Sequence, residues 1–247
     1  MVRRPIPRLL LCVGLTLAGA SACASGLQVA PVSLTLQPAQ HADGLWLSNT
    51  GTDLLHAQVR VYRWTQADGA DQLTPSQELV ISPPMLGVKP GERQLVRVIR
   101  VGAPPSGNDA PEAAYRLAID ELPLPKAGKK GLQFVLHYSV PVFIEPEGAA
   151  QVKPTLHWTL QREGNHAVVV VSNSGTGHAQ LSDVEYINRA GSRTAIADGL
   201  LGYVLPGATM RWTLKQPVSN FAGTGTLEAT INGAKATQTL SLADRAR

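Results

Sequence analysis

The chain has 247 residues, a formal net charge of +4 and an apolar fraction of 44%, and its aromatic (5%) and charged (16%) residues are both sparse. That length can bury two ordinary hydrophobic cores. The small basic excess, part of it in the first residues, comes without a Lys/Arg stripe interleaved with aromatics, which argues against a nucleic-acid surface.

The first residues read as a targeting segment. Arg3, Arg4 and Arg8 form a basic start, Leu9 to Ala18 is a short apolar run, and Ala22-Cys23-Ala24 supplies small residues at the two positions a signal peptidase reads. The run is too short to span a bilayer, so residues 1–24 are expected to be a cleaved export signal and no stable membrane insertion is expected. Cleavage after Ala24 and after Ala22 both satisfy the rule. Lipidation of Cys23 is a further alternative, but Ala20-Ser21-Ala22 lacks the usual Leu. The two cysteines, Cys12 and Cys23, both lie in or beside this segment. The mature fold is therefore expected to rest on packing and strand pairing alone, although an exported protein could hold a disulfide.

From Leu27 onward the chain consists of short alternating runs, rich in Val, Leu and Thr, broken by Gly, Pro, Asn and Asp. Val32, Leu34 and Leu36 alternate with Ser33 and Thr35. Leu45 and Leu47 lead into the turn Ser48-Asn49-Thr50-Gly51, and Ala57 to Tyr62 alternates again. Leu95, Arg97 and Ile99 share one strand face, with Val96, Val98 and Arg100 on the other. Tyr115, Leu117 and Ile119 follow, then Leu132 to Phe143. About seven strands at this spacing predict an immunoglobulin-like sandwich. A Pro/Gly/Ala stretch at Glu145 to Ala150 reads as a linker. Beyond it, Ala167 to Val171 ends in the turn Ser172-Asn173-Ser174-Gly175, and strands are predicted at 181–187, 210–214, 225–231 and 236–242. The expected architecture is all-β: two tandem immunoglobulin-like domains over 25–147 and 148–247.

Catalytic and metal motifs are missing. There is no phosphate-cradling loop, no dinucleotide fingerprint and no nucleophile elbow. The six histidines (His41, His56, His137, His157, His166 and His178) are scattered without metal-ligand spacing. A non-catalytic binding or structural protein, with no cofactor and no metal, is the expectation.

Three stretches of the first half resemble the chaperone–usher (pilus-assembly) chaperones. Ile81 to Val98 resembles the family's Pro-Pro pair, Pro-Gly turn and following strand, here Pro83-Pro84, Pro90-Gly91 and Leu95-Val96-Arg97-Val98. Glu112 to Pro123 is similar to its most recognisable signature, a Glu before an aromatic-bearing strand that ends in Glu121-Leu122-Pro123. Leu132 to Pro146 looks like the long strand that leaves the first domain. In the second half, Gly202-Tyr203-Val204-Leu205-Pro206-Gly207 resembles a turn of the archaic branch. The resemblance implies a boomerang of two domains in the periplasm. It also implies an ATP-independent role in folding fimbrial subunits by donor-strand complementation, and delivery of them to an outer-membrane usher.

The donor strand it implies is the alternating row Leu132, Phe134, Leu136, Tyr138 and Val140, preceded by the basic, Gly-containing loop Lys126 to Lys130. A period-2 row of large apolar side chains must be buried against something. Either it packs into this protein's own core, or, as the resemblance implies, it fills the groove of a subunit that lacks a strand. An open edge of that kind invites self-association, so a self-capping dimer or a partly disordered loop across about residues 124–133 is expected of the free protein.

The chain also departs from the family. Relatives grip the subunit's terminal carboxylate with two basic residues in the interdomain cleft. The matching positions here are Ser33 and Pro141, which hold no charge. Arg97, with Arg100 second, is the candidate replacement, the alternative being that both are solvated strand-face arginines. Glu145 stands where many relatives have a basic residue, so their interdomain ion pairing does not transfer. The rival reading is a structural pilin or adhesin with tandem immunoglobulin-like domains, for which Leu27 to Leu36 would be the N-terminal extension. A pilin usually carries a disulfide and has no counterpart of Glu121-Leu122-Pro123.

Overall fold

The computed structural model describes residues 26–123, 135–149 and 151–244. Their regular structure is extended throughout except for one 3-10 turn at Val218–Phe221. The expected export signal, the basic loop, Leu132 and Phe134 lie outside the described residues.

Ten strands build the first half: β1 (Leu27–Ala30), β2 (Leu34–Leu36), β3 (Ala42–Asn49), β4 (Leu55–Ala67), β5 (Ala70–Pro75), β6 (Leu79–Ser82), β7 (Met85–Val88), β8 (Arg93–Arg100), β9 (Ala113–Leu122) and β10 (His137–Ile144). One layer has the order β1-β3-β8-β6. The other runs β2-β10-β9-β4-β5, with β7 also beside β4. Period-2 alternation closes the sandwich between them. Leu45 and Leu47 from β3, Val96 and Val98 from β8, and Leu117 and Ile119 from β9 all point inward and are fully enclosed. Arg100 shares the inner face of β8, so the strand carries a guanidinium into the interior.

The second half has seven strands: β11 (Leu156–Glu163), β12 (His166–Asn173), β13 (Ala179–Asn188), β14 (Arg193–Val204), β15 (Thr209–Thr213), β16 (Thr224–Ile231) and β17 (Ala234–Asp244). They lie in the order β14-β13-β16-β17-β11-β12-β15. β17 joins the two layers, pairing antiparallel with β16 up to Ser241 and then parallel with β11 from Leu242. Val169, Val171, Leu181, Val184, Tyr186 and Phe221 fill the core between them.

Both halves close a strand end with the same device, and the Asn turns read from the sequence supply it. Asn49 and Asn173 are each 2% exposed. The Asn49 side chain donates to Val88 O (2.8 Å) and accepts from Gly51 N (2.9 Å). Asn173 donates to Gly177 O (2.7 Å) and Val204 O (3.0 Å) and accepts from Gly175 N (3.0 Å). Each backbone carbonyl then receives the glycine N–H of a Pro-Gly turn, Gly91 to Asn49 and Gly207 to Asn173. Both glycines sit at φ +73, a left-handed conformation that side chains disfavour.

Candidate functional site: the open edge of β10 and the domain junction

β10 has two edges in unequal states. On one side it pairs antiparallel with β9 along its whole length, from His137↔Asp120 to Ile144↔Ala113. On the other, β2 covers only Val142–Ile144, opposite Leu34–Leu36. The hydrogen-bond phase follows from Glu121 N donating to Leu136 O. In an antiparallel ladder the even residues then face β9, and His137, Ser139 and Pro141 turn their backbone groups to the uncovered side. Pro141 lacks an N–H, so its place at an edge leaves no donor unmatched.

The side chains of β10 divide by the same alternation. Val140, Val142 and Ile144 belong to the first domain's core. At 3% exposed, Val140 is enclosed by its own domain, which takes it out of the partner-facing row expected from the sequence. Tyr138 packs half-buried against that core and its hydroxyl donates to Leu27 O. Leu136 is 38% exposed. The row therefore opens progressively toward the N-terminal end of the strand, from Val140 through Tyr138 to Leu136.

The opposite face of β10 is the root of the strand and is held by the second domain. Phe143 is 2% exposed and packs with Trp64, His178 and Tyr203. Glu112, immediately before β9, is nearly fully buried and accepts from both the His178 backbone N–H (2.6 Å) and, through the same oxygen, the His178 ring at Nδ1 (2.7 Å). The Gln66 amide mimics a strand neighbour: it donates to Tyr203 O (2.9 Å) and accepts from Leu205 N (2.8 Å). The Gly202–Gly207 turn is thus docked on β4. None of this junction was read from the sequence, although Glu112, Tyr203 and Leu205 stand in the Glu112 and Gly202–Gly207 motifs.

The cations fall differently from expectation. Arg97 projects to solvent from β8, in the layer that does not contain β10. Arg100 is 6% exposed inside the first domain and donates to Pro38 O (2.9 Å). Neither reaches the junction, where Ser33 and Pro141 lie side by side just before the β2–β10 ladder begins. The cation that does stand there is Arg116, paired with Pro141 across the β9–β10 ladder. Its guanidinium lies 3.7 Å from the centroid of the Trp64 ring and 5.0 Å from that of Tyr203, and it donates to Ser139 O (3.4 Å). No carboxylate among the described residues forms an ion pair with it, and burial lowers its pKa. The sequence held a signal for this: Arg116 lies between Ala114 and Ala118 on the outer face of β9, a gap left by two small residues.

Near the open end, Asp120 joins His137 (2.6 Å) and Arg60 (2.7 Å). Burial alone would raise the Asp120 pKa, but the hydrogen bonds from His137 and Arg60 outweigh it and hold the carboxyl below its ordinary value.

Comparison with known proteins agrees with this geometry. The chain has the fold of the CsuC–CsuE chaperone–tip adhesion subunit pre-assembly complex from the archaic chaperone–usher Csu pili of Acinetobacter baumannii (TM-score 0.66, 22% identity, 90% of this chain and 100% of that one). It is similar also to the YadV chaperone (0.62, 14%, 87% and 99%) and to the Salmonella enterica SafA pilin–SafB chaperone complex (0.59, 19%, 87% and 95%). No curated protein matches the sequence. The profile of the family described as pili and flagellar-assembly chaperone, PapD N-terminal domain, matches residues 26–150. The domain that presents β10 therefore carries the family's own pattern, and the chain belongs to the pili and flagellar-assembly chaperones.

Proposed function

We propose that this protein is exported to the periplasm, captures pilus subunits by completing their sheets with β10 and the residues before it, and hands them to an outer-membrane usher. The observation that carries the reading is the half-covered edge of β10, with backbone groups of His137 and Ser139 turned to the open side and an apolar row opening beside them. A subunit lacking one strand has the matching groove and the matching unpaired backbone groups. Ladder hydrogen bonds give affinity for any such subunit, and Leu132, Phe134, Leu136 and Tyr138 fill its pockets. Each large apolar side chain so buried contributes roughly 1.5–3 kcal/mol, which drives capture without ATP. Arg116 takes the anchoring role expected of Arg97, its unpaired guanidinium gripping the subunit's terminal carboxylate. Without a subunit, a second copy covers the edge. The domain limits that go with this reading are 25–147 and 148–247.

Co-expression with a candidate pilin tests it. The expected result is a stable one-to-one periplasmic complex, which Phe134→Asp and Leu136→Asp weaken at least tenfold while the free chaperone keeps its β-sheet circular dichroism. Capture that is unchanged by both substitutions overturns the reading.

A further inference from the structure

We propose that Glu121-Leu122-Pro123, where β9 ends, is a ladder terminator: it fixes the residue at which β10 parts from its own sheet. That point decides which backbone groups a subunit can use. The inference rests on the donor-strand reading and adds two positioning residues to it, Glu121 and Pro123.

The last rung between the two strands is closed by a side chain. Glu121 N donates to Leu136 O (2.9 Å), as an antiparallel ladder requires. The return N–H, that of Leu136, donates to the Glu121 carboxylate at Oε2 (3.2 Å). In this register the next rung falls two residues on, at Pro123, which has no N–H to give. β9 accordingly ends at Leu122, and β10 begins at His137. One pair further in, Asp120 Oδ1 meets His137 Nδ1 at 2.6 Å. Neighbouring residues of a strand point to opposite faces. Two consecutive carboxylates of β9 therefore clasp β10 at its exit, one on each face.

Termination matters because of what the partner lacks. A strand missing from within a sheet leaves unpaired backbone groups on both sides of its slot. Along His137–Ile144, β9 holds one edge of β10, so a subunit reaches only the other edge there. At the rung beyond Leu136, β9 offers no N–H, and the partner can supply the second edge. The motif thus sets the residue at which pairing to β9 gives way to pairing with the subunit on both sides.

The test combines capture of the co-expressed pilin with amide hydrogen exchange on the free chaperone, and Leu136→Asp serves as the reference. Pro123→Ala supplies the missing donor. The amide it introduces is expected to gain protection of about tenfold, and capture to weaken about fivefold, the scale of one competing hydrogen bond. Glu121→Ala is expected to speed exchange of the Leu136 amide and to weaken capture by a similar factor. Glu121→Gln, whose side-chain oxygen still accepts that N–H, is expected to restore both. Equal losses from the Gln and Ala variants, with a lowered unfolding midpoint, would make the motif merely structural and overturn the proposal. Capture unchanged by either Pro123→Ala or Glu121→Ala, while Leu136→Asp weakens it, also overturns the proposal and leaves the donor-strand reading standing. Capture indifferent to Leu136→Asp as well removes both.

Discussion

Phe143 and His178 lie face to face, their ring centroids 3.6 Å apart and their planes 2° from parallel. One ring comes from each domain, and Phe143 is on the strand whose other end is open. The stack therefore fixes the root of β10, while Glu112 holds the imidazole from behind. Phe143→Ala empties the centre of the junction and is expected to destabilise the protein by about 3–5 kcal/mol. Urea unfolding followed by domain-specific probes should then show two transitions where the parent shows one. A single, unshifted transition would mean that the stack contributes nothing to coupling.

Asn49 and Asn173 perform the same task in separate domains, so their loss should be independent. Asn49→Ala strands the Val88 carbonyl, and Asn173→Ala strands those of Gly177 and Val204. Each substitution is expected to cost about 1–3 kcal/mol, and the double variant should show the sum. Equilibrium denaturation of the three variants checks both claims.

Asp120 sets an acid limit near the open end of β10. Its folded-state pKa is depressed by the His137 and Arg60 hydrogen bonds, so the ionised form is favoured in the fold. The stability it contributes is present above the unfolded-state value of about 3.9 and is lost as the pH falls through the lower folded value. Asp120→Asn should flatten that part of the acid-unfolding curve. A curve with unchanged slope would remove Asp120 from the account.

Arg116 and Arg97 separate the two places a carboxylate anchor could stand. Arg116→Ala is expected to cut subunit capture at least tenfold, because the cation at the junction feels Asp71 only at longer range and forms no close ion pair among the described residues. Arg97→Ala, on a solvent face of the other layer, is expected to leave capture unchanged. Pull-down of a co-expressed subunit measures both, and the reverse pattern would return the anchor to β8.

The two sandwiches were legible because alternation is a local signal: Leu45 and Leu47, Val96 and Val98, Leu117 and Ile119 declare their inner face by period 2 alone. β11 and β14 were not predicted. β11 has an alternating Leu156, Trp158 and Leu160, but only Leu160 is fully buried. β14 is interrupted by Gly199 and Gly202, and its register with β13 shifts around Ser182–Glu185. Their strand character comes from neighbours that the sequence does not show side by side.

By itself, then, the sequence determined the all-β class, the Asn and Pro-Gly turns, the family resemblance and an apolar row leading into β10, since each depends on residues near one another in the chain. Only the tertiary structure decided where that row ceases to be core, at Val140, and which arginine reaches the junction. Those outcomes turn on contacts such as Arg116 with Tyr203 and Glu112 with His178, which the folded backbone brings together across long stretches of chain. A strand's alternation says which side chains share a face. What covers each face is settled by the tertiary fold, the first domain's own core over Val140 and the second domain over Phe143.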